Sequence, residues 1–101
     1  MIVVNGPLLV QGHGETRPVT GELFLRLVVS LGRAYPFEIV LPYGRDARAR
    51  DAALAACRQG ATASVSARAA TPRIDHGIAA IVLQEPQTAF VDGRQIYPTG
   101  E

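Results

Sequence analysis

Residues 22–31, ELFLRLVVSL, alternate without a break: Leu23, Leu25, Leu27, Val29 and Leu31 share one face of an extended chain, and Phe24, Arg26, Val28 and Ser30 share the other. The leucine face predicts a strand with one side in a core, and leaves a ring and a guanidinium as neighbours on its outer surface. Residues 37–43, FEIVLPY, alternate too, with Phe37, Ile39, Leu41 and Tyr43 on one side and Glu38, Val40 and Pro42 on the other. Pro42 has no N–H to give to a ladder and belongs at a strand end or an edge. The connection LGRAYP is short, so these two strands should pair tightly. Residues 61–69, ATASVSARA, predict a half-buried fourth strand, and the apolar run Ile78 to Leu83 a fifth, buried on both faces. Residues 2–12, IVVNGPLLVQG, read as the first strand, with Gly6-Pro7 marking a bulge or bend. HGETRPVTG (13–21) and residues 71–77 read as loops, and TAFV and RQIYP flank Asp92-Gly93, a two-residue hairpin signal.

One stretch breaks the pattern. After Tyr43-Gly44, Asp46 is a good N-cap for an alanine-rich helix reaching about Gln59, with Gly60 as its stop. Arg48, Arg50 and Asp51 are expected on its exposed surface, and Leu54 and Cys57 toward the core. Strand, helix, strand with glycine at both joints is what a small barrel needs if a helix plugs its open end. The expected fold is therefore all-β: a five-stranded OB-fold barrel with one short α-helix between strands 3 and 4. Residues 1–98 are expected to form a single OB-fold domain, with 99–101 as a short tail.

Composition narrows the chemistry. The ten basic residues are all arginine, and net charge is only +1. The charge is uneven: residues 33–73 hold seven arginines against three acids, net +4, and residues 74–101 hold one against four, net −3. A basic middle can make one positive face on a nearly neutral protein. Cys57 is the single cysteine, so no intramolecular disulfide forms, and it reads as a small buried hydrophobe. No apolar run approaches the roughly 18 residues of a membrane span, and no signal-type segment opens the chain, so a cytoplasmic protein without a membrane partner is expected. His13 and His76 lie more than sixty residues apart with no thiol or carboxylate cluster beside either, which argues against a metal site. No nucleophile set, P-loop or dinucleotide fingerprint is present. The expectation is not an enzyme, with no cofactor and no small-molecule substrate.

From Phe37 to Ala69 the chain resembles the bacterial single-stranded DNA-binding protein family, including its smaller primosomal replication protein N branch. The likeness is carried by Phe37, Tyr43-Gly44, Ala47, Leu54, Arg58-Gln59-Gly60 and Val65, with IAAIVLQ (78–84) as a fifth strand. The resemblance implies an OB barrel that binds single strands by aromatic stacking and a basic groove, in an oligomeric setting. Carried over residue by residue, it makes Phe37 and Tyr43 stacking aromatics and places Arg45, Arg68 and Arg73 within reach of phosphates. The chain departs from the pattern where Phe37 replaces the usual tryptophan, where Ile39 replaces a basic residue, and in its short connection between strands two and three. Periodicity alone reads the Phe37, Ile39, Leu41, Tyr43 parity as core, so the two readings of this face stand against each other.

The function expected is single-stranded DNA binding, with Phe37, Tyr43 and Phe24 stacking and Arg26, Arg45, Arg68 and Arg73 meeting phosphates. The partners are single-stranded DNA and further copies of the chain, as a homodimer or homotetramer. The alternative is an OB-fold protein-protein interaction or oligomerisation module without nucleic-acid binding.

Overall fold

A computed structural model describes residues 1–75 and 78–99. His76 and the last two residues of the expected tail lie outside the described residues. Alternating runs become seven strands of one sheet, β1 (Ile2–Pro7), β2 (His13–Thr16), β3 (Leu23–Val29), β4 (Phe37–Gly44), β5 (Thr62–Asp75), β6 (Ile78–Val91) and β7 (Arg94–Tyr97). One helix, α1 (Ala47–Ala56), lies between β4 and β5. Across the described residues the protein is all-β with a single short helix.

The sheet runs β1-β5-β6-β4-β3-β2, with β7 added on β6. All pairings are antiparallel except β4 with β6, which is parallel from Phe37 opposite Ile81 to Ile39 opposite Leu83. β1 and β2 lie at opposite ends of this order although they are consecutive in the chain. Between them Leu8 donates its N–H to Ala61 O at 2.8 Å and accepts from Gly60 N at 2.9 Å, holding the β5 side. On the other side Leu8 bridges Val29, Leu9 N donates to Val28 O, and Ser30 N donates to Pro7 O, each at 2.8 Å. The β1–β3 contact stops there, and the ladder does not close.

Four expectations change. Among the described residues the strands number seven, not five, because the first predicted strand ends at Pro7, HGET, read as loop from its polarity, pairs as β2, and β7 adds to β6. β5 continues through Thr71–Asp75, also read as loop, and β6 runs on past Leu83 to Val91. Beyond Ala67 β5 has lost β1 as a neighbour and is an edge, where Pro72 is tolerated. The helix is shorter than 46–59, though Asp46 caps it by accepting from Ala49 N at 3.1 Å. Finally Arg50, expected in solvent, is largely buried: its Nη1 donates to the Glu15 and Phe24 carbonyls at 3.1 and 3.4 Å, tying α1 to β2 and β3. The Asp92-Gly93 turn forms as read, both residues at positive φ (50° and 81°).

The core lies between the inward face of the sheet and α1, where Leu8, Leu25, Leu27, Ile39, Leu41, Val65 and Cys57 are all nearly or fully inaccessible. Gly12 lets the chain pass α1: a Cβ there would stand 2.7 Å from Cys57 Cβ, while Gly12 N donates to Cys57 O at 2.8 Å. Gly12→Ala therefore forces β2 and α1 apart, and urea unfolding is expected to show a loss of about 1–3 kcal/mol.

Candidate nucleic-acid interface

Residues directly opposite across a ladder share a face. Glu15 faces Phe24, Arg26 faces Val40, Val28 faces Glu38, Glu38 faces Val82, and Val82 and Ala80 face Thr71 and Arg73. These pairings set Glu15, Phe24, Arg26, Glu38 and Arg73 on the outer surface. Across it the charges form a row. Arg26 Nε and Nη2 donate to the two Glu15 carboxylate oxygens at 2.7 and 3.1 Å, and Arg26 Nη1 lies 2.8 Å from Glu38 Oε1. Arg73 Nη1 and Nη2 donate to Glu38 Oε1 and Oε2 at 2.8 and 3.2 Å. The Arg26 hydrogen bond is the main reason the Glu15 carboxyl is held below its ordinary pKa, and the same bond raises the Arg26 guanidinium.

Phe24 and Arg26 are thus brought together, beside a groove of about 420 Å3 that Arg17, Pro18 and Val40 also line. The Arg17 guanidinium sits 5.2 Å from the centre of the Phe24 ring. Sequence reasoning missed Arg17 because its segment read as featureless loop; Phe24 seven residues on was the available signal. Arg45 stands at the same end, donating Nη2 to Thr20 O at 2.9 Å and so pinning the β2–β3 connection. Arg68 is exposed on β5, without a hydrogen bond or ion pair among the described residues, and outside the row.

The two aromatics carried by the resemblance are on the wrong side for stacking. Tyr43 is buried in the core, its hydroxyl donating to Ile96 O at 2.6 Å and its ring edge-to-face with Tyr97 at 6.0 Å. Burial pushes the phenol far above its ordinary pKa. Phe37 is half-buried and packed against the same core. The periodicity reading of this parity was right, and the assignment of Phe37 and Tyr43 as stacking residues is corrected.

Among the described residues no group of three His, Cys, Asp or Glu side chains is placed to hold a metal, and no helix is long and apolar enough to cross a membrane. Comparison with protein families, with curated proteins and with solved structures finds no match to this chain. The functional argument therefore rests on geometry.

Two expectations follow. Tyr43→Phe keeps the ring but leaves the Ile96 carbonyl without its donor, and should cost about 1–3 kcal/mol of folding free energy in a chemical melt. The depressed pKa of Glu15 means that the unfolded chain binds the proton more readily. Its stabilising contribution is therefore present above about 4.5, the ordinary value, and is lost as pH falls below it. Glu15→Gln should accordingly flatten the acid limb of a plot of melting temperature against pH.

Proposed function

We propose that the protein is a small oligonucleotide-binding barrel that binds single-stranded DNA in the cytoplasm, on the outer surface of β3 and β4. The topology supports this reading. If β1 and β2 are two halves of one strand bent at residues 8–12, and β7 is an addition to β6, five strands remain in the order 1-2-3-5-4 and back to 1. The helix then falls between the third and fourth, as in OB barrels, which take oligonucleotides on the second and third strands and on neighbouring connections, of which the first corresponds here to 17–22.

The observation that carries the reading is Phe24 with Arg17 over its ring and Arg26 two residues along the same strand. A half-buried ring under a more exposed guanidinium forms a stacking platform that accepts any base, flanked by a charge for the neighbouring phosphate. Arg45 adds a cation at the same end, Arg68 is a further exposed cation outside the row, and the chemistry needs no cofactor. The second reading, a module that binds further copies of the chain as a homodimer or homotetramer, is favoured by a different observation. Val3, Leu9 and Val10 are all exposed, and three of the site's arginines, Arg17, Arg26 and Arg73, already have acidic partners.

Titration of a fluorescent oligo-dT separates them. Phe24→Ala should weaken binding by roughly 1–3 kcal/mol, whereas Phe37→Ala should act on the melting temperature. Absence of binding by the wild type at low salt would overturn the proposal, and a dimer or tetramer in sedimentation would then favour the second reading.

A further inference from the structure

Two guanidinium groups from different strands converge on one oxygen, Glu38 Oε1, each at 2.8 Å. Arginines hold a phosphate oxygen in the same way, with planar donors directed at a shared anion. Here a carboxylate of the chain fills the position. Glu38 itself is 8% exposed, while the side chains of Arg26 and Arg73 are 31% and 44% exposed, so the anion is fixed to the sheet and the cations open outward. We infer that Glu38 is a built-in substitute for a nucleic-acid phosphate and holds down affinity for single strands, an inference that rests on the binding reading above.

The charge arithmetic gives the inference its direction. Glu15, Arg26, Glu38 and Arg73 sum to zero, so the row offers a polyanion no net charge to neutralise and displaces no counterion. Arg26 keeps Glu15 if Glu38 is neutralised. Arg73 has no second carboxylate within the row, where its bonds go to Glu38. Neutralising Glu38 therefore frees Arg73 in particular, and the effect must run through that residue.

The test uses the full chain, Glu38→Gln, Arg73→Ala and their double variant, with fluorescent oligo-dT over a range of salt and a thermal melt for each protein. Glu38→Gln is expected to bind about tenfold tighter at low salt, with a log-affinity against log-salt slope steeper by about 0.7. Arg73→Ala alone should leave the slope nearly unchanged, and the double variant should lose the gain. Equal or weaker binding by a folded Glu38→Gln overturns the inference and leaves the binding reading intact, provided the wild type still depends on Phe24. Should Glu38→Gln fail to fold, Arg73→Ala decides: a slope flatter by about 0.7 means that Arg73 already meets a phosphate and overturns the inference, and an unchanged slope supports it. No binding by either wild type or Glu38→Gln overturns both.

Discussion

The structure depends on a bend in its first fifteen residues. A sheet that is to wrap a core of this size needs one segment that pairs at both of its ends, and that segment must change direction without leaving backbone groups unpaired. Gly6, Pro7 and Leu8 do this. A side chain at Gly6 would overlap the Ser30 carbonyl oxygen, so β1 and the end of β3 come together only because that side chain is missing. Leu8 then bonds toward β5 through its backbone while its side chain enters the core. Gly12 repeats the device against α1, and Arg50 closes the remaining gap by bonding two carbonyls with one nitrogen.

The outer surface follows from this wrapping. Once the apolar parity of β3 and β4 is turned inward, the opposite parity must carry Phe24, Arg26 and Glu38, and the long β5–β6 pair adds Arg73. Charges this close, some of them half out of water, are satisfied only by alternating in sign. Arginine suits the task, since its fork reaches two carboxylates at once where an ammonium makes point contacts. That reach is used at Arg26, which spans Glu15 and Glu38, and at Arg50, which joins the Asp51 carboxylate to two backbone carbonyls.

Much of this was legible in the sequence, and the rest was hidden for physical reasons. The alternation of residues 23–29 named the core leucines correctly, and it ended at Val29, leaving Leu31 exposed. Asp46 and Asp92-Gly93 acted as local signals because capping and tight turns are decided within a few residues. For Phe37 and Tyr43 the period of two gave a shared face, and the family likeness set it to the wrong side. The row of charges was invisible because Glu38 and Arg73 are 35 positions apart, and a local pattern carries no information about ladder register. HGET and Thr71–Asp75 read as loops because edge strands carry polar residues and proline that central strands exclude.

Cys57 closes the helix against Gly12, fully inaccessible, with its thiol pushed by burial to a pKa of about 11. A thiol so placed is doubly protected from alkylating reagents and oxidants, by lack of access and by lack of thiolate at neutral pH. Its labelling must wait for α1 to lift from β2, an opening that also removes Arg50 from its carbonyls. The lone thiol is therefore a clock for opening: its rate of modification measures how often the packing of the helix end on Gly12 comes undone.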